Sequence, residues 1–290
     1  MLKKFAPTEL VLNAQNQVYH LGLSPENVSE KIILVGDQER VSLVSAQFDK
    51  IEFKSNHREF FCHTGQYKNK RISVISTGIG TDNIDIVINE LDALFNIDLD
   101  LKTEKPDRKQ IELLRIGTCG ILQSDIPIHS YVLSEYALGL DNIGHFYDTV
   151  LSEEEEALLN DISKHDIFPK NIIPYIKKAS EKFMEKFDGP LCHKGITVTS
   201  SGFYGPQGRE LRLSTFTNGL HEKLERYIDS NQNRFVNFEM ESSALFTLGK
   251  GLGHSCSTIC LGIANRPNLD FSSDYSNEMV KLIKYALDRL

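Results

Sequence analysis

Apolar positions along this chain follow two spacings that alternate. Short unbroken runs suit buried strands, and stretches with apolar residues every three or four positions suit helices. Lys31–Val35 (KIILV) is the first such run. It stops at Gly36-Asp37, after which Val41, Val44 and Phe48 share one side of a helix. Residues 58–64 and 71–77 predict two strands around the turn Gln66-Tyr67-Lys68-Asn69. After Gly78-Ile79-Gly80, helical spacing returns with Ile84, Val87, Ile88, Leu91, Leu94 and Phe95. Residues 113–116 predict a strand interrupted at Gly117-Thr118-Cys119-Gly120. Ser152 followed by Glu155 is a capping box that opens a helix running to His165. Further strands are expected at 195–200, Phe235–Glu239 and 258–264, with helices at 241–250 and Ser276–Arg289.

This alternation predicts an α/β domain whose sheet is largely buried. No repeat, low-complexity tract or Pro/Ser-rich linker divides the chain. One domain is expected over 18–290, preceded by an N-terminal extension at 1–17. Residues 96–112 are polar and of mixed charge, and predict a surface insertion. Composition mainly adds exclusions. With 32 Lys+Arg against 40 Asp+Glu the net charge is −8, so the chain lacks the overall basic character on which nucleic-acid affinity rests. No apolar run approaches the roughly 18 residues that mark a membrane span, and the lysine-bearing start lacks the apolar centre of a signal peptide. Neither a nucleic-acid nor a membrane partner is expected, and the expected compartment is the cytoplasm. Five cysteines, an odd set without a CxxC pair, predict reduced thiols and no zinc site.

Strand ends followed at once by glycine expose backbone N–H groups to ligands in α/β proteins. Three are expected, at Gly36, at Gly78-Ile79-Gly80 and at Gly117. Arg40 and Arg115 accompany two of them, and an arginine offers a planar fork of donors suited to phosphate. Read alone, each of these turns needs no ligand. Neither GxxxxGK[ST] nor GxGxxG occurs, which removes the usual support for nucleoside triphosphates and dinucleotides. Phe203-Tyr204-Gly205-Pro206-Gln207-Gly208-Arg209 joins an aromatic face, an amide and a cation on one loop. Gln207 carries donor and acceptor together and can match an imide edge, although by composition the stretch also fits a plain surface loop. Asn237-Phe238-Glu239-Met240-Glu241 brings two carboxylates to a strand end. One of them could grip a sugar diol, or simply favour a helix N-terminus. Ala264-Asn265-Arg266-Pro267 puts an arginine where a buried strand emerges, and His20 has nothing local to distinguish it.

Taken in order, these blocks resemble the nucleoside phosphorylase family, and within it the uridine phosphorylases. The resemblance is carried by YHLGL at 19–23, VGDQERV at 35–41, HREF at 57–60, STGIG at 76–80 and LRIGTCG at 114–120. It continues through SGFYGPQGR at 201–209, NFEMES at 237–242 and GIANR at 262–266, and spans about residues 18–289. It implies a three-layer α/β/α sandwich around a mixed, partly barrelled central sheet. It also implies a phosphate site of Gly36, Arg40, Arg115 and Thr118, joined by Arg58 from a neighbouring subunit. The ribose would meet Glu241, Met240 and the neighbour's His20. The base would meet Phe203, Gln207, Arg209, Arg266 and the backbone at Thr118, Cys119 and Gly120. Sharing of this kind implies a homo-oligomer whose smallest active unit is a dimer.

The implied reaction is reversible phosphorolysis of uridine to uracil and ribose 1-phosphate. Inorganic phosphate is the co-substrate, with no other cofactor and no metal. Cleavage builds positive charge on the sugar and negative charge on the departing base, so the protein must gather a dianion and stabilise a second anion. The implied catalytic set is Arg115, Gln207, Arg209, Glu241 and Arg266. Arg115 is expected to serve the ligand rather than the core, so that its loss would spare folding. The family's purine branch places an acid after the last core strand, and Ala264-Asn265-Arg266 has none there. Two alternatives stay open: a nucleosidase of the same fold that uses water, and a non-catalytic nucleoside-binding protein. Three arginines in the implied phosphate site count against the first, and retention of the whole residue set counts against the second.

Overall fold

The computed structural model describes residues 3–217 and 219–290. Its elements are β1 (Lys31–Val35), α1 (Gln38–Ser45), β2 (Lys50–His57), β3 (Phe60–Tyr67), β4 (Lys70–Ser76), α2 (Thr81–Asn96), β5 (Ile97–Asp98) and β6 (Thr103–Glu104). They continue with β7 (Glu112–Ile121), β8 (Tyr131–Gly139), α3 (Glu153–Ser163), β9 (Tyr175–Lys178), α4 (Glu181–Met184) and β10 (Cys192–Thr199). The chain ends with α5 (Leu220–Arg226), β11 (Phe235–Glu239), α6 (Ser242–Gly251), β12 (Ser255–Asn265), β13 (Asp270–Phe271) and α7 (Ser276–Arg289).

Eleven of these strands form one mixed sheet. At one end β2, β3 and β4 make an antiparallel meander that joins β1 through a parallel pairing. At the other, β12 pairs with both β7 and β8, and β8, β10, β11 and β7 complete the circuit. Five strands therefore close into a barrel while the rest of the sheet stays open. Closure removes two sheet edges whose unpaired backbone groups would otherwise need cover. Ile32, Ile33, Leu34 and Val35 on β1 are all fully buried, as a parallel strand covered on both faces requires. Helices occupy both faces, giving the three-layer sandwich. Among the described residues no helix is long and apolar enough to cross a membrane.

Local signals account for much of this. The Ser152–Glu155 capping box forms, with the Ser152 N–H donating to the Glu155 carboxylate at 2.8 Å and the Glu155 N–H to the Ser152 hydroxyl at 3.2 Å. On α2 the apolar face Ile84, Val87, Ile88, Leu91 and Leu94 is fully buried. The β3–β4 turn is tighter than the sequence predicts: only Lys68 and Asn69 lie outside the strands, both at positive φ (47° and 65°), as a two-residue hairpin needs.

One strand departs from its sequence pattern. The break expected at Gly117 does not occur, and β7 runs on through Thr118, Cys119 and Gly120 to Ile121. Its parallel partner β12 holds it along that whole length, from Ser255 opposite Glu112 to Asn265 opposite Ile121. Gly117 serves a different purpose: a Cβ there would collide with the Arg115 guanidinium. Residues 96–112 carry the short hairpin β5–β6, and the N-terminal segment adds to it through the Phe5 N–H, which donates to the Lys102 carbonyl at 2.9 Å.

Candidate active site

A cavity of about 1100 Å³ opens beside the ends of β1, β4, β11 and β12 and the glycine-rich half of β7. At one end are Gly36, Arg40, Arg115 and Thr118. Asp37 caps α1, accepting from the Glu39 N–H at 2.8 Å, and so places Arg40 in the first turn. Arg40 is 7% exposed, and its Nη1 reaches the Ile116 carbonyl at 3.5 Å. Among the described residues no carboxylate lies within ion-pair distance of it. Burial, and then the charge of Arg115, pull its pKa below the usual arginine range.

Arg115 is 5% exposed and sits between two buried carboxylates. Its Nη2 donates to Glu241, and its Nη1 lies 3.4 Å from Glu239. Its Nε is buried without a partner among the described residues. Burial opposes its charge, but Glu241 and then Glu239 reverse that and hold the guanidinium more firmly protonated than usual. Arg115 is therefore also a structural cation, which corrects the expectation that it serves only a ligand. Removing it would leave two buried carboxylates uncompensated.

Glu241 stands just ahead of α6, and its Oε1 accepts from the Gly80 N–H at 2.8 Å. Gly80 has φ +102°, a conformation that side chains disfavour, so glycine there lets the backbone turn its N–H to the carboxylate. Burial raises the Glu241 pKa, with Arg115 pulling it back. Met240 lines the cavity beside it.

The opposite end is built by the loop after β10. Arg209 donates to the Phe203 carbonyl at 2.6 Å and to the Gln207 side-chain carbonyl, and its guanidinium lies 3.8 Å from the centre of the Phe203 ring. Arg266 donates to the Gln207 backbone carbonyl at 3.1 Å, tying this loop to the end of β12. Burial, and then Arg266, bring Arg209 down to about 10, which leaves it charged at neutral pH. One lone pair of the Gln207 amide is thus already taken, and one face of Phe203 is covered by Arg209. The Cys119 thiol between the two ends is raised well above its usual range by burial and then by Cys260, so it stays protonated and is a poor nucleophile.

Gly36, Arg40, Arg115, Thr118, Cys119, Gly120, Phe203, Gln207, Arg209, Met240, Glu241 and Arg266 all line this one cavity. His20 and Arg58 do not; they form a separate cluster. The N–H groups of His20 and Leu21 donate to Glu90 at 2.9 and 2.8 Å, and the His20 ring meets Glu90 at 2.6 Å. His57 holds the His20 carbonyl at 2.7 Å, and Arg58 lies over the Tyr19 ring at 5.4 Å. The cavity also includes Glu239, Leu269, Asp270 and Phe271, none of them in the residue set drawn from sequence. Only Glu239 carried a signal, its spacing from Glu241.

The sequence model of the phosphorylase superfamily matches residues 30–287. The chain belongs to the phosphorylase superfamily. It is 30% identical over 289 residues to a uridine phosphorylase from Thermococcus kodakarensis, covering 99% of this chain and 91% of that one. It is 26% identical over 241 residues to a purine nucleoside phosphorylase from Oceanobacillus iheyensis, covering 83% and 84% of the two. In three dimensions it resembles a Trypanosoma brucei nucleoside phosphorylase described as showing uridine phosphorylase activity. That match has a TM-score of 0.87 at 27% identity, over 97% of this chain and all of the other.

Proposed function

We propose that the protein is a uridine phosphorylase, a pentosyltransferase that cleaves uridine with inorganic phosphate to give uracil and ribose 1-phosphate. One observation carries this reading beyond the relatives' names. Arg40 is a buried cation with no carboxylate at ion-pair distance among the described residues, close enough to Arg115 for their charges to repel, and both line the same cavity as Gln207 and Arg209. Buried charge without a counter-ion is costly, and a phosphate dianion would supply both the charge and the acceptors. A hydrolase would leave these groups unanswered.

In this reading phosphate lies against Arg40, Arg115, Thr118 and the Gly36 backbone, with Arg58 arriving from a neighbouring subunit. Glu241 takes the ribose hydroxyls, and Met240 and the neighbour's His20 complete the sugar site. As the C1′–N bond lengthens, electron density moves onto uracil. Gln207 and Arg209 donate to it there, with Arg266 bracing their loop. Their positions before the reaction, fixed by hydrogen bonds, are what make such donors effective. No cofactor beyond phosphate is required, the homodimer is the smallest active unit, and the compartment is the cytoplasm.

The test is to incubate the protein with uridine and follow free uracil with and without phosphate. Release only with phosphate, with ribose 1-phosphate as the second product, is expected; equal release in its absence would make the protein a nucleosidase. Binding without turnover would make it a nucleoside-binding protein.

Variants Gln207→Ala and Arg209→Ala should lose uridine turnover while binding phosphate nearly as before. Each leaves a polar group unpaired, typically at a cost of about 1–3 kcal/mol. Inosine should be a very poor substrate. Efficient inosine cleavage would overturn the pyrimidine preference.

A further inference from the structure

Arg115 is shared by two carboxylates that differ in what else holds them. Glu239 accepts from the Thr199 hydroxyl at 2.5 Å, from the N–H groups of Glu241 and Ser242 at 3.0 and 2.9 Å, and from the Ser242 hydroxyl at 2.8 Å. It is 4% exposed, and these donors leave it no freedom to turn toward a ligand. Thr199 is itself fixed, accepting from the Ser243 N–H at 3.0 Å. Glu241 is held by less: its carboxylate takes the Gly80 N–H and Arg115, with the Met240 backbone N–H also bearing on it. One carboxylate is locked and the other can exchange partners.

We propose that Glu239 is a positioning residue of this reaction: it keeps Arg115 at the junction of the phosphate and sugar sides, so that Glu241 can leave Arg115 for the ribose hydroxyls. The proposal rests on the uridine phosphorylase reading. When a sugar diol engages Glu241, Arg115 loses one anion, and Glu239 remains to hold it in place. Without the Glu239 charge, Arg115 has Glu241 as its sole anion and draws it away from the sugar. Phosphate, meanwhile, meets one fewer negative charge. Loss of the Glu239 charge should therefore act in opposite directions on the two substrates.

Glu239→Gln keeps the shape and removes the charge. The KM for phosphate should fall roughly fivefold and the KM for uridine should rise about tenfold, within the range of coupling between linked sites. A role confined to capping α6 and packing the cavity would raise both constants or lower kcat alone. Glu239→Asp, which keeps the charge, should return both constants toward the parent values. Should Glu239→Gln fail to fold, Thr199→Val tests the same idea with the signs reversed. It strips a donor from Glu239, so the carboxylate bears more strongly on Arg115, and the KM for phosphate should rise while that for uridine does not. Constants that move together in whichever variant folds would overturn the positioning role. Phosphate-independent uracil release by the parent enzyme would instead overturn the reading beneath it, so the two failures are distinct.

Discussion

Arg115→Ala should abolish most activity and also weaken the fold. Loss of one preorganised charge-stabilising donor lowers turnover by roughly two to three orders of magnitude. The fold suffers because Glu239 and Glu241, 4% and 3% exposed, would face each other without their cation. Breaking a buried ion pair from one side costs about 3–5 kcal/mol. The sign of the pH dependence follows from Glu241, whose pKa burial already raises in the parent. Deprived of Arg115, a buried carboxyl has a folded-state pKa above its unfolded value. Its protonated form then contributes stability at low pH, and that contribution is lost as pH rises through the folded-state pKa. The stability deficit against the parent should therefore be small in acid and grow toward neutrality, as denaturant melts at several pH values would show. Adding Glu241→Gln to Arg115→Ala should recover part of the stability and none of the activity. A variant as stable as the parent at neutral pH would mean that the carboxylates do not depend on Arg115.

Mixing two nearly inactive variants should restore activity. Arg40 lines the cavity of its own chain, whereas Arg58 lies outside it in the cluster with Tyr19, His20 and His57. If Arg58 completes a neighbour's site, a two-fold dimer holds two equivalent shared sites. An Arg40→Ala chain still lends a sound Arg58, and an Arg58→Ala chain still has a sound Arg40. In a mixed dimer one site receives both lesions and the other neither. Random pairing makes about half the dimers mixed, so recovery should approach about one quarter of parent activity. Arg40 suits this experiment better than Arg115, because its removal strands no partner carboxylate. Proven subunit mixing without recovery would place Arg58 in its own chain's site and end the shared-site account.

Much of the lining of the candidate cavity was legible in the chain because its residues lie in short blocks with strong local character. Gly36 and Arg40 flank the end of one apolar run, the 203–209 loop announces itself by Gly and Pro, and Met240 and Glu241 follow directly on a strand. The double role of Arg115 was not legible. Its two carboxylates lie more than 120 residues away, and nothing near Arg115 in sequence signals an ion pair. The resemblance set Arg58 and His20 apart together, but the contacts with Tyr19, His57 and Glu90 that hold them were hidden for the same reason. Glu239 was visible as a carboxylate, and three of its hydrogen-bond donors are local, on Glu241 and Ser242; the fourth, Thr199, reaches it only when β10 and β11 lie side by side.

The sequence by itself determined those elements whose cause is local. The run at β1, the face of α2, the capping box of α3 and the extent of α7 all follow from side chains a few residues apart, and folding left them as predicted. Tertiary structure decided the rest. β8 is almost wholly buried although Ser134 and Glu135 break its apolar run, because Ser134 bonds Thr197 on β10 and the strand is held by partners on both sides. β7 crosses two glycines because β12 supplies hydrogen bonds along its full length. Arg115, Glu239 and Glu241 are taken out of water together where β7, the end of β11 and the start of α6 meet. Charges that would be weakly coupled on an open surface become strongly coupled where the dielectric falls, so the electrostatic character of the site belongs to that meeting and not to any segment of the chain.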